Sequence, residues 1–368
     1  MEERTNSFFL SQLNDHQRVH DITAIKNKQG QVYHNKKEVL DTVKSYYEEL
    51  WASNTTNQDF NYWTNFLPKN AIRNNTIEAH ISESDIEEVL KITGKNKSPG
   101  PDGIPYELYA ALPKIFTPIL KEIFNAIIDG YITPDKFEFN VCIVKLLPKK
   151  GDLLNLDNWR PISLSNCDGK LFSKIIANRL YPLASNFIGH NQHNLRGKST
   201  VTCVRILIDF LKLNPKDFSL IFLDQRKAFD MTNRTLILDS LKHIGLSNSA
   251  INIFKGLFLN TAAQVMVHGH LTERFVTTRG VKQGDPLSPL LYDIAIESLI
   301  RGIDNLCNGY VLNSQLKMTS LAYADDITLI CDKDHDLKIV SDTLKKFSED
   351  TGSQINVDKS QKMTLFNQ

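Results

Sequence analysis

Apolar positions recur along this chain at two spacings, and each spacing predicts an element. Val39, Leu40, Val43, Tyr46, Tyr47 and Leu50 form one helical stripe inside an otherwise polar, Asn-rich stretch over residues 1–80. The run SESDIEEVLKI predicts a second helix, with Ser84 and Glu87 in a capping-box pattern and Ile86, Val89 and Leu90 on the buried face. Ile115, Ile119, Ile123 and Ile127 stand in register over about 113–129 and predict a third, stopped by Gly130.

The β-prone run NVCIVKLLPKK follows, then a loop and a helix near KLFSKIIANRL. From about residue 216 the pattern reads strand, helix, hairpin, long helix, hairpin, helix and strand. That order predicts a mixed α+β fold with antiparallel strands joined by short turns.

A length of 368 residues suggests two or three domains and enough chain for a substantial core. Lys plus Arg number 43 against 42 Asp plus Glu, so the net charge of +1 gives no quick argument for a nucleic-acid partner, and local charge has to be read instead. Five cysteines, at 142, 167, 203, 307 and 331, show no Cys-x-x-Cys spacing and are odd in number, which predicts reduced, buried thiols in an intracellular protein. The charged N-terminus lacks a signal-peptide core, and no apolar run approaches the ~18 residues of a membrane span, so no membrane partner is expected.

Chemistry concentrates in three segments. FSLIFLDQRKAFD reads as a strand buried on both faces, Phe218 to Leu223, ending at Asp224. KMTSLAYADDITLICD reads as two strands around a turn at Ala324, Asp325 and Asp326. If that hairpin pairs beside the first strand, Asp224 and Asp325 converge with Asp326 close by. Such hard oxygen ligands suit Mg²⁺ or Mn²⁺, and two ions about 3.5–4 Å apart serve nucleotidyl transfer. TTRGVKQGDPLSPLL enters a helix through a loop in which Gly284 allows close backbone approach, while Gln283 and Arg279 offer donors to a nucleotide. Taken singly, an Asp pair is more often a turn or cap, and this loop a plain proline-terminated one. Only the combination points to nucleotidyl transfer.

The order FLDQRKAFD, RGVKQGDPLSP and YADD resembles motifs A, B and C of reverse transcriptases of the LINE-type, non-LTR retrotransposon group. Upstream NSFF, KNKSPGPDGIPYELY, LLPKKGD and NWRPISLSNCDGKLFSKIIANRL agree in order, and downstream TGSQINVDKSQKM resembles motif D. The resemblance implies a right-hand polymerase that copies RNA into DNA from a DNA primer and dNTPs, with fingers over about 81–215 and a palm over 216–368, fingers segments being interleaved. An N-terminal extension with its amphipathic helix would occupy 1–80. The palm would be an antiparallel sheet with packed helices.

Asp224, Asp325 and Asp326 match the metal-site carboxylates, Asp326 the more peripheral. Phe229 matches the steric gate against a ribose 2′-hydroxyl, its plainer alternative being a core aromatic. Gln283, Gly284 and Ala324 match the nucleotide pocket. Lys149 and Arg160 are similar to residues that meet the triphosphate, and a guanidinium suits phosphate oxygens.

Local charge agrees. Between 145 and 180, Lys145, Lys149, Lys150, Arg160, Lys170, Lys174 and Arg179 face only Asp152, Asp157 and Asp168. With Lys91, Lys95 and Lys97 they are expected to line a template path, or, for Lys170 and Lys174, a solvated helix face.

The sequence also departs from the pattern. Arg226, Met231 and Thr232 replace the usual motif A continuation, and QHNLRGKST is a residue short, with Asn194 for a glycine and Leu195 for an aromatic. The chain stops soon after the motif D resemblance, so the thumb is expected to be missing. An inactive remnant that at most binds RNA is therefore one alternative. An RNA-directed RNA polymerase is another, since Asp224 and Asp230 have the spacing of two motif A acids in viral enzymes, although Phe229 and Tyr323-Ala324 oppose it. An active element of this group would work in the nucleus. Oligomeric state has no sequence signal.

Overall fold

The computed structural model describes residues 22–365 except 54–58, 73–75, 95, 196, 214–217, 260, 314–315 and 333. The NSFF segment and Lys95 lie outside the described residues. A short hairpin, β1 (Ile25–Lys26) and β2 (Val32–Tyr33), leads into helix α1 (Lys36–Leu50), then α2 (Asn61–Thr64), α3 (Glu83–Ile92), α4 (Tyr106–Ala111) and α5 (Pro113–Ile128). Next come β3 (Val141–Pro148), β4 (Trp159–Ser165), α6 (Cys167–Ala184), α7 (Thr200–Leu213), β5 (Phe218–Leu223), α8 (Ala228–Met231), α9 (Arg234–His243) and α10 (Asn248–Phe258). The remainder is β6 (Thr261–Val267), β7 (His270–Leu271), β8 (Phe275–Thr277), α11 (Ser288–Leu306), β9 (Tyr310–Asn313), β10 (Leu316–Met318), β11 (Ser320–Tyr323), β12 (Asp326–Cys331), α12 (Asp334–Thr351) and β13 (Gln361–Leu365).

Two sheets organise the molecule. The first is four-stranded and antiparallel, in the order β11-β12-β5-β13. Its apolar strand β5 lies inside the sheet, as the run Phe218–Leu223 predicts. Helix α11 packs with α9 and α12 beneath it and is buried along most of its length. The second sheet runs β4-β3-β6-β7, with β8 also on β6. Here β3 pairs with β6 in parallel, against the expectation of antiparallel strands alone. The partners lie more than a hundred residues apart, so nothing local announces the pairing. A division at residue 216 would cut through this sheet.

The segment before residue 80 is built into both halves. Val39, Val43, Tyr47 and Trp51 pack with Val144, Val265 and Phe275 under the second sheet. Trp63 joins the main core, where its ring meets Phe347 at 4.9 Å and its indole N–H donates to Asp350 at 2.8 Å.

Two helix details differ from expectation. Ser82, extended at φ −88°, caps α3 two residues earlier than Ser84 would, and its capping box closes with Asp85 rather than Glu87. In α5 the buried face is Leu120, Phe124, Ile127 and Ile128, while Ile115 and Ile119 are exposed. Successive i+4 steps rotate by about 40° each, so a row of four isoleucines turns through about 120° and cannot face one core along its whole length. Gly130 follows the helix at φ +77°, as its stop should.

Candidate active site

The carboxylates meet because of register. Strand β12 pairs with β5 so that Ile327 lies opposite Leu223, and the chain emerges from β5 at Asp224 beside the tip of the β11-β12 hairpin. Tyr323 pairs with Asp326, leaving Ala324 and Asp325 as a two-residue turn, with Ala324 left-handed at φ +53°. The motif D segment clamps Asp224 from the other side. Its N–H donates to the Ser360 hydroxyl at 3.1 Å, and its carbonyl accepts from Asn356 N–H at 2.8 Å.

Asp224 and Asp325 line one open cleft of roughly 1050 Å³ with Lys149, Arg160, Phe229, Gln283, Gly284 and Lys359. Asp326 begins β12, is exposed and does not line that cleft, and Ala324 is buried in the turn. Burial pushes the Asp325 carboxyl above the usual carboxylate range, and the charges of Asp326 and Asp224 push it the same way. Lys149 is held below the ordinary lysine range by desolvation and by the nearby charges of Arg160 and Lys359. The cleft is therefore lined by carboxylates and by cations together, and the Arg160 charge opposes the upward push on Asp325.

One aromatic ring, that of Phe229, also lines the cleft. Phe229 is half-buried and stacks on Tyr292 of α11, with ring centroids 4.9 Å apart and planes 10° apart. The Tyr292 hydroxyl donates to Gln225 at 3.1 Å. Asp230, next in the chain, is buried, and burial raises its carboxyl. Its two oxygens accept from the Trp51 indole N–H at 3.1 Å and the Gln283 amide at 3.0 Å. Gly284, at φ +106°, lies against β4, where an added Cβ would come within 3.3 Å of the Ser163 carbonyl. Its missing side chain serves that contact, and the Gln283 carbonyl accepts from Ser163 N–H at 2.8 Å.

Other expected contacts are not in the cleft. Arg279 is buried, with Nε donating to the Leu50 carbonyl at 2.7 Å, so it has no free donor to aim at a nucleotide from Nε. Lys145, Lys150 and Lys97 are exposed and open to phosphate, whereas Lys91, also exposed, pairs with Glu87 at 4.0 Å. Lys170 is buried with its ammonium 5.6 Å from the centre of the Tyr106 ring, neither on a solvated face nor on a template path. Lys174 is half-buried and has a partner. Arg179 is spent on structure, donating to the carbonyls of Ile77, Ala79 and His80 and pairing with Asp85 at 3.8 Å. Helix α6 presents these groups inward because most of its length is buried.

Three contributors escaped the sequence reading. Lys359 sits in the motif D resemblance and was legible there as a cation beside the cleft. Asp157 lies on the cleft wall, accepts from the Tyr46 hydroxyl at 2.6 Å, and pairs with Arg226 at 3.1 Å and Lys227 at 3.4 Å. Trp51 reaches Asp230 from a segment with no local hint of a site.

Among the described residues, no three His, Cys, Asp or Glu side chains are grouped to hold an ion by themselves. The donor set nonetheless fits a divalent cation of the Mg²⁺ type, which takes one or two carboxylates and completes its shell with water and substrate phosphate. A carboxylate raised by burial and by neighbouring negative charge, as Asp325 is, is what such a cation relieves. No helix among the described residues is long and apolar enough to cross a membrane.

Residues 147–366 match the family profile described as reverse transcriptase (RNA-dependent DNA polymerase). The chain is 26% identical over 92% of its length to a Xenopus laevis protein, the transposon TX1 uncharacterized 149 kDa protein, of which it covers 26%. It is 28% identical over 76% of its length to the retrovirus-related Pol polyprotein of a type-1 retrotransposable element R2 of Popillia japonica, covering 39% of that protein. A probable RNA-directed DNA polymerase from transposon BS of Drosophila melanogaster is 27% identical over 68% of the chain, which covers 28% of it. The chain thus spans about a quarter to two fifths of the length of these relatives. With the matched profile falling on the strands and loops that build the cleft, the chain belongs to the reverse transcriptase family, in its non-LTR retrotransposon group.

Proposed function

We propose that this chain is the polymerising core of an RNA-directed DNA polymerase that extends a DNA primer on an RNA template. The observation that carries the reading is that one cleft is lined both by the carboxylates Asp224 and Asp325 and by the cations Lys149, Arg160 and Lys359. Nucleotidyl transfer needs both. The four-stranded sheet is read as the palm, and the β3-β4 sheet with α3 to α6 as the core of the fingers.

Asp224 and Asp325 would hold Mg²⁺ or Mn²⁺, with Asp326 adding charge from outside the cleft. When bound, a divalent cation there neutralises phosphate charge and favours ionisation of the primer 3′-hydroxyl. Lys149, Arg160 and Lys359 orient the triphosphate and balance the charge of the departing pyrophosphate. Phe229, backed by Tyr292, is placed to crowd a ribose 2′-hydroxyl and so to favour dNTPs. Asp230 has both oxygens occupied by Trp51 and Gln283, which weakens the case for a carboxylate that reads the ribose hydroxyl of an RNA-polymerase substrate. The exposed Lys145 and Lys150 are the cations of the β3-β4 sheet left to meet template phosphate.

The test is extension of oligo(dT) on poly(rA) with dTTP and either metal. Wild type should extend, and Asp224→Asn should lose roughly 10³-fold in rate, about 4 kcal/mol of barrier. Equal rates for the two proteins with both metals would reject the reading. Preference for UTP over dTTP would favour the RNA polymerase instead.

A further inference from the structure

We infer that Gln192 is a positioning residue for the Asp325 turn. The segment around it resembles a template-contacting stretch, but in this fold it braces the hairpin that carries the carboxylate. Ala322 N–H donates to the Asn191 carbonyl at 2.8 Å, and His193 N–H donates to the Ala322 carbonyl at 2.7 Å. Residues 191–193 thereby lie alongside β11 as one more short, parallel partner.

The side chain of Gln192 then reaches the turn itself. It is fully buried, and its Oε1 accepts from Ala324 N–H at 3.1 Å and from Asn194 N–H at 3.0 Å. Both neighbours are donors, so the amide oxygen must face them. Ala324 is left-handed, a conformation that a residue with a Cβ adopts only under constraint, and Gln192 supplies an acceptor for its N–H in that conformation. Without it a buried donor loses its partner one residue before Asp325.

The brace is itself anchored. Asn194, which stands where the family pattern has a glycine, donates through Nδ2 to both oxygens of Asp293 at 3.1 and 3.0 Å. Gly189 N–H donates to Glu297 Oε1 at 2.7 Å, one turn further along α11. Helix α11 follows directly on the Gln283 loop. A single rigid helix therefore sets both the nucleotide loop and, through residues 189–194, the carboxylate turn.

The kinetic arm of the test rests on the polymerase reading above, and the exchange arm does not. Gln192→Asn keeps the amide but is one methylene too short to reach the turn. Gln192→Met keeps length and removes the acceptor. In hydrogen exchange, the Ala324 amide should exchange about tenfold faster or more in either variant than in wild type. In primer extension, kcat should fall about 10²-fold for a displaced carboxylate, while primer–template affinity stays within twofold. The control is Asn191→Ala, which removes the 3.1 Å bond to the Ser320 hydroxyl in the same junction without touching the turn, and it should keep kcat within twofold.

Unchanged Ala324 exchange in a folded Gln192 variant would overturn the inference. So would a loss confined to template affinity, or a kcat loss equal to that of Asn191→Ala. An inactive wild type whose Ala324 amide is protected, and loses that protection in the variants, would sink the polymerase reading and leave the brace standing.

Discussion

Asp224 and Asp325 stand at strand ends, whereas Lys170 and Arg179 stand on helix α6, and the two sets of charges meet different fates. A strand end leaves the sheet at a place fixed by register, and its carboxylate faces the cleft because the apolar strand behind it is already committed to the core. A helix that is buried around most of its surface takes its cations inward with it. There Arg179 satisfies three carbonyls and Lys170 lies against an aromatic ring. Charge density along the sequence is thus a poor guide to a binding surface when the element carrying it is mostly buried.

The largest effect that distinguishes the two regions is expected at Arg179. Arg179→Met should cost about 2–4 kcal/mol in urea unfolding, because it leaves carbonyls of the 77–80 segment without donors. At temperatures where the variant stays folded, its RNA affinity and the salt dependence of that affinity should match wild type. A selective loss of RNA binding with full stability would return Arg179 to the template path.

Glu297 tests whether burial on a helix, rather than the sign of the charge, decides the matter. Its carboxyl is pushed up to about 7, mainly by burial, against the opposing pull of Arg301 and Gly189 N–H. A raised carboxyl favours the protonated folded state, so its contribution is complete below the unfolded value and is lost as pH rises through the folded one. Between pH 5 and 8, wild type should lose up to about 3 kcal/mol of stability relative to Glu297→Gln. Parallel stability curves for the two proteins over that range would contradict it.

The smallest effect belongs to the exposed pair. Lys145→Ala with Lys150→Ala should change stability by no more than about 0.5 kcal/mol, yet lower the slope of log affinity against log salt for RNA by about 1–2. An unchanged slope would remove these lysines from the template path.

Much of the site was legible because its residues carry strong local signals. An apolar run that stops at Asp224, and two β-prone arms around Ala324 and Asp325, specify geometry within a few residues of the chemistry. The same is true of the existence of α1, α3, α5 and α6. What was hidden depends on pairing at a distance. The parallel β3-β6 contact, the reach of Trp51 to Asp230, and the use of Gly284 against β4 all join segments that share no local pattern. Arg279 and Arg179 looked like ligands for phosphate, since a guanidinium suits a carbonyl and a phosphate oxygen alike. Only burial separates the two uses.

Asp224 and Asp325 are proposed to form a cation site, with the exposed Lys145 outside the cleft that holds it. Titration of Mn²⁺ followed by the paramagnetic resonance of the free ion, in the presence of dTTP and primer–template, tests this most directly. Wild type and Lys145→Ala should bind alike, and affinity should be at least about tenfold weaker in Asp325→Asn. Equal Mn²⁺ affinity in wild type and Asp325→Asn would contradict it.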